Sequence, residues 1–225
     1  FTLTSVSLLA KTIKRTPKKE VITRLAGIPV NRLGMLFALL GTLLYFQTVS
    51  FEYTQDDAIV ITENMFTQKG ISGIPGLLGH DTFYGYFKDA NKTRLVSGGR
   101  YRPLTPVMFA IEHQIAGPKP WFSHFINSVC FGLLCLVIFG FTRDLLTPGL
   151  SPNTAIQVAA VCALIFAVHP IHTEAVANIK GRDEIVAALA SIGGLWLVIK
   201  SLSHNKAFQY TALAGIVFFL GMFAK

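Results

Sequence analysis

The chain has 225 residues, of which 52% are hydrophobic and 14% charged, with a net charge of +8 and a mean hydropathy of +0.51. A soluble domain of this size usually carries about 25% charged residues, so the composition excludes an ordinary water-soluble domain and indicates a polytopic membrane protein. The positive charge requires no nucleic acid, because the basic residues are not interleaved with stacking aromatics.

Residues 1–30 form a basic cytoplasmic or membrane-surface segment carrying Lys11, Lys14, Arg15, Lys18, Lys19 and Arg24, with Glu20 the only acid. Such a cluster ahead of a span sets topology and touches anionic lipid. The first apolar stretch, 33–51, is too long for a cleavable signal peptide and lacks a small-residue cleavage site. Directly after it come Glu52, Asp56 and Asp57.

The loop 52–124 exceeds the roughly 15 residues of a simple connection and is rich in Phe, Tyr and Trp, which favour a membrane interface. A short helix lying along the membrane is expected over 53–64, then a break at Gly70, Gly73, Pro75, Gly76 and Gly79, then a second apolar helix over 103–116, entered through Tyr101-Arg102-Pro103. Asn91-Lys92-Thr93 fits a glycosylation acceptor on the outer side.

Further apolar stretches cover 125–142, 145–168, 185–199 and 207–224. About 20 apolar residues cross a bilayer. By that standard the first, second and fifth spans are comfortable. The third is interrupted by Pro148 and Pro152 and starts near Thr154, so the third and fourth are short. With the N-terminus cytoplasmic, Arg143, Lys200 and Lys206 fall inside, and every acid except Glu20 and Asp144 falls outside. Cys130, Cys135 and Cys162 lie within spans and behave as small hydrophobes. From the start at Phe1 and the stop at Lys225, the expectation is a fragment truncated before further spans.

Three outer-side motifs carry candidate chemistry. Asp56-Asp57 reads either as a solvated helix end or as a base with an orienting partner, since adjacent carboxylates repel and one is thereby made more basic. Arg100 and Arg102 read either as snorkelling side chains or as a phosphate clamp. His169-Pro-Ile-His172-Thr-Glu174, followed by Arg182, reads as a polar turn, as a second wall of the same site, or as a metal site whose spacing is not that of helical zinc hydrolases.

Asp56-Asp57, Tyr101-Arg102-Pro103-Leu104-Thr105, Pro120-Trp121 with His124 and Asn127, and the run from Phe166 through His169, His172 and Glu174 to Ala177 with Gly181-Arg182 occur in this order. Over residues 31–225 this set resembles the membrane part of the TMTC family (transmembrane and tetratricopeptide-repeat proteins) and its bacterial relatives, of the GT-C glycosyltransferase class. The resemblance implies an all-α membrane protein: a GT-C-type transmembrane helix bundle with a large first outer loop carrying interfacial helices, followed in the family by tetratricopeptide repeats. It implies inverting transfer of a mannose-like sugar from a polyprenyl-phosphate donor to a protein Ser/Thr hydroxyl, in the bacterial inner membrane or the endoplasmic reticulum membrane, with no cofactor and no metal. Asp56 or Asp57 would be the general base, and Arg100, Arg102, His124, His169, His172, Glu174 and Arg182 would bind donor phosphate or substrate. The rival readings are an inactive membrane anchor for the repeats and, behind it, a transporter.

Overall fold

The computed structural model describes residues 24, 25, 28–54, 56–97, 100–203 and 205–225. Of the basic segment expected over residues 1–30, residues 1–23, 26 and 27 lie outside them. The described chain is an all-α membrane bundle, entered through a two-residue antiparallel pair, β1 (Arg24–Leu25) and β2 (Ile28–Pro29).

Helix α1 (Val30–Leu44) buries Leu33, Gly34, Phe37 and Gly41 along one stripe, while Met35, Leu36, Leu39 and Leu43 stay exposed on the other faces. A helix apolar all round belongs in a core or in lipid. A 3-10 turn, Phe46–Ser50, extends it, and Val30–Ser50 together are long and apolar enough to cross a membrane.

The outer loop is mostly short helical turns. The helix expected over 53–64 is only a π turn, Ala58–Thr62, because the side chain of Asp57 folds back on Thr54 and closes a separate turn before it. The break expected at the glycines falls at Gly70, where the 3-10 stretch Thr67–Gly73 kinks, and at the end of α2 (Ile74–Gly79), where His80 is extended. Gly70 has φ of 61° there, a left-handed conformation that glycine adopts without steric cost. Two more short helices follow, α3 (Tyr84–Phe87) and α4 (Ala90–Ser97), and then α5 (Leu104–Ala116). Pro103 lies just ahead of α5, as Tyr101-Arg102-Pro103 predicts.

Helix α6 (Pro120–Leu146) is the longest, at 27 residues, or about 40 Å at 1.5 Å per residue. α7 (Pro152–Val168) starts at Pro152, two residues before the expected Thr154, with the Ser151 hydroxyl accepting from the Thr154 amide at 3.2 Å. After the short α8 (His172–Ala177) and a 3-10 turn, Ile179–Gly181, come α9 (Arg182–Ser203) and α10 (Ala207–Gly221).

Among the described residues three helical segments are long and apolar enough to cross a membrane: Val30–Ser50, Pro120–Leu146 and Ile179–Ser203. Pro152–Val168 and Ala207–Gly221 are shorter apolar helices. The fourth stretch is therefore longer than its uncharged run suggests, and the fifth is shorter. The helix begins at Arg182 because the charges of Arg182 and Asp183 are buried against partners.

The core sits where α1, α6, α7 and α9 meet, around Phe37, Phe131, Cys135, Phe139, Ile156 and Ile185. Ala155, Ala159, Ala163 and Ala167 are fully buried at four-residue spacing, a small-residue face that lets helix backbones approach closely. α1 and α6 run antiparallel, and a Cβ on Gly41 would lie 3.0 Å from the Gly132 Cα. A Cβ on Gly132 would collide with the Ala38 carbonyl and the Thr42 hydroxyl. Gly132→Val is expected to push the two helices apart at a cost of about 1–3 kcal/mol. A lowered unfolding midpoint in mild detergent checks this, and an unchanged midpoint would contradict the close approach.

Candidate functional site

α6 and α9 run parallel. Their N-terminal ends are joined by a bond from Arg182 Nε to Asn127 Oδ1 at 2.6 Å, and their other ends by one from Trp196 Nε1 to Asp144 Oδ2 at 2.7 Å. α10 returns antiparallel to α9, and the Phe223 carbonyl accepts from the Leu104 amide at 3.0 Å. The outer loop, the start of α6, the α7–α8 turn and the start of α9 thus share one end of the bundle. Every sequence-predicted site residue lies at that end.

The two aspartates differ completely. Asp57 is fully buried. Its Oδ2 accepts from the Thr54 amide at 2.8 Å and the Thr54 hydroxyl at 3.1 Å, and its Oδ1 accepts from the Lys180 amide at 2.8 Å. This carboxylate ties the outer loop to the turn that starts α9. Asp56 is exposed, and its side chain forms no hydrogen bond or ion pair with a described residue. A π turn, of a kind frequent at functional sites, follows directly.

Arg182 departs from its expected place against donor phosphate. It is fully buried, ion-paired with Glu112 through Nη1, and donates from Nη2 to Glu112 Oε2 at 3.1 Å and to the Ser123 carbonyl at 2.9 Å. Its guanidinium also lies 4.5 Å from the centre of the Phe109 ring. Its donors are directed at the protein.

Arg100 and Arg102 line a narrow cleft with Thr82, Phe83, Thr105, Lys180 and Asp183. The arginines are held there through the backbone: the Arg100 carbonyl accepts from the Thr82 amide at 2.9 Å, and the Arg102 amide donates to the Thr82 hydroxyl at 2.8 Å. An open groove is lined by Phe51, Thr54, Ile171, Thr173, Glu174 and Asn178, with Glu174 the only charged group among the described residues that line it. His169 is exposed, with Nδ1 accepting from the Ile171 amide at 3.2 Å. His172 stacks at a tilt on Phe166, ring centres 4.1 Å apart. Among the described residues no group of three His, Cys, Asp or Glu side chains could hold a metal ion, so His169, His172 and Glu174 do not converge. His124 is fully buried and edge-on to Phe51. Tyr53 is pushed up to about 12, first by burial and then by the charges of Asp57, Glu112 and Glu52, and so stays a neutral phenol.

No protein-family model and no solved structure matches the chain. Among curated proteins, human protein O-mannosyl-transferase TMTC2 is 32% identical over 164 residues, 73% of this chain and 18% of that protein. Human protein O-mannosyl-transferase TMTC1 is 30% identical over 204 residues, 89% of this chain and 20% of that protein. The chain belongs to the TMTC-like family. The Caenorhabditis elegans protein O-mannosyl-transferase F38B6.6 is 27% identical over 198 residues, 86% of the chain and 26% of that protein. The TMTC-like chain spans about a fifth of the length of the two human relatives.

Sequence reading missed Glu112, Ser123, Thr54 and Asn178 in this TMTC-like site. A lone carboxylate in the apolar helix α5 was a legible signal for Glu112, since ionisable groups at membrane depth are functional candidates. Thr54 and Asn178 gave none, because their roles depend on each other across the chain.

The His172 ring has its pKa lowered below the usual 6.5, mainly by burial and secondarily by the charge of His169. The unfolded ring therefore takes its proton before the folded one. The contribution of this packing is full above pH 6.5 and is lost as pH falls through the folded value. An NMR titration of His172 is expected to give a midpoint below 6.5, and a midpoint at or above it would contradict the packing on Phe166.

Proposed function

We propose that this chain is the membrane part of a protein O-glycosyltransferase of the GT-C class. It would transfer a mannose-like sugar from a polyprenyl-phosphate donor to a Ser or Thr hydroxyl, with inversion at the anomeric carbon. The site end of the bundle faces the outer side and the N-terminus is cytoplasmic, in the bacterial inner membrane or the endoplasmic reticulum membrane. Asp56 is the general base. It takes the hydroxyl proton as the oxygen attacks the anomeric carbon, while the bond from that carbon to the phosphate oxygen breaks and its electrons leave with the phosphate. Arg100, Arg102 and Lys180 neutralise the departing phosphate from the cationic cleft. The acceptor approaches along the groove edged by Glu174, where no basic side chain of the described residues competes for the donor.

The observation that carries this reading is a free carboxylate next to a locked one, at the same bundle end as a cationic cleft. The similarity to proteins named O-mannosyl-transferases supports it. The test is to incubate membranes containing the full-length protein with polyprenyl-phosphate mannose and an acceptor peptide, and to read the anomer formed by NMR. Inverted mannosyl-Ser or mannosyl-Thr is expected. Retained configuration, or no transfer from any polyprenyl-phosphate sugar, would overturn the reading.

The second reading, a membrane anchor without activity, is favoured by the structural use of Asp57 and Arg182. It predicts that Asp56 and Arg102 tolerate substitution.

A further inference from the structure

Arg182 is the largest fully buried side chain among the described residues, yet it lines neither the cationic cleft nor the acid-edged groove. Its contacts lead instead to the aspartate pair. Arg182 Nε donates to Asn127 Oδ1 at 2.6 Å. Asn127 Nδ2 then faces the carbonyls of Val176 at 3.3 Å, Asn178 at 3.1 Å and Ile179 at 3.3 Å. The next amide along, that of Lys180, is the one that holds Asp57.

The order of these contacts has a chemical reason. An Asn amide offers an acceptor at one end and donors at the other, and nothing in its shape decides which end faces which way. A guanidinium has no acceptor. Arg182 therefore forces the oxygen of Asn127 toward itself and the nitrogen toward the turn. Glu112 fixes Arg182 in turn, and the Ser123 hydroxyl fixes Glu112 by donating to Oε2 at 2.6 Å.

We propose that the buried Glu112–Arg182 pair is a positioning device for the aspartate pair. It orients Asn127, Asn127 holds the turn over residues 176–179, and the turn presents the Lys180 amide that pins Asp57 and leaves Asp56 free. The proposal rests on the reading of Asp56 as the base. Arg182 and Glu112 act through other groups and touch no substrate.

Two variants of the full-length protein test it. Asn127→Asp keeps the volume and the Arg182 contact but loses the donor to the turn. Arg182→Lys keeps the charge and loses the fork. In both, amide hydrogen exchange at Lys180 is expected to speed up at least about tenfold, the equivalent of one lost hydrogen bond, while exchange in the second half of α6 stays unchanged. Sugar transfer should show kcat lowered about tenfold or more with the donor KM within about twofold. Lys180 exchange as slow as wild type in Asn127→Asp would overturn the proposal, and so would a raised donor KM with unchanged kcat in Arg182→Lys. If the wild-type protein transfers no sugar from any polyprenyl phosphate, the enzymatic reading fails, while the exchange result still judges the positioning.

Discussion

Asp56→Asn is expected to lower sugar transfer about 100-fold or more, the usual worth of a general base, in a protein that inserts and unfolds like wild type. The reason is local. The Asp56 carboxylate bonds to no described residue, so removing its charge disturbs no contact. Asp57→Asn should behave in the opposite way. It sets an amide nitrogen against either the Thr54 amide or the Lys180 amide, both donors that Asp57 now accepts from. An unsatisfied buried donor costs about 1–3 kcal/mol, so a lowered unfolding midpoint and a partial loss of transfer are expected together. Comparing the two variants by transfer rate and unfolding midpoint decides the matter. Full activity in Asp56→Asn, with activity abolished at normal stability in Asp57→Asn, would reverse the assignment.

Glu112→Gln is expected to cost the most stability of any single change at this end of the bundle. It strands the Arg182 charge in a fully buried position. Breaking a buried pair on one side costs about 3–5 kcal/mol, whereas replacing both partners by apolar residues is often neutral or better. The double variant Glu112→Leu with Arg182→Met should therefore regain most of the lost stability without regaining the orientation of Asn127. Unfolding in detergent measures both. A Glu112→Gln midpoint equal to wild type would mean that the pair is not desolvated.

The helices were largely legible from hydropathy, since most of α1 and α6 and all of α7 fall on uncharged runs and α5 follows from its proline entry. The start of α9 was not, because a charge count stops at Asp183 and Glu184 and cannot see that Arg182 is neutralised by Glu112, 70 positions away. The site was legible as a set of residues at one bundle end. The division of labour within it was not. Which aspartate is free depends on the Lys180 amide, 123 positions from Asp57, and no local pattern encodes that distance. The buried partners of Arg182 were not legible for the same reason: an arginine in a motif looks identical whether its donors face a ligand or a buried carboxylate.

The two bonds that join α6 and α9, one at each end, give the bundle a fixed rung spacing. Asn127 and Asp144 are about 26 Å apart along α6 at 1.5 Å per residue, close to the thickness of a thin hydrocarbon layer and short of a sterol-rich one. α6 and α9 cannot slide past each other to absorb a mismatch while both bonds hold. In a thicker bilayer the strain passes to tilt of the whole pair, and the shorter α7 and α10, which among the described residues have no such rung at both ends, adjust around it. Lipid thickness is thereby coupled to the same Asn127 contact that orients the turn beside Asp57.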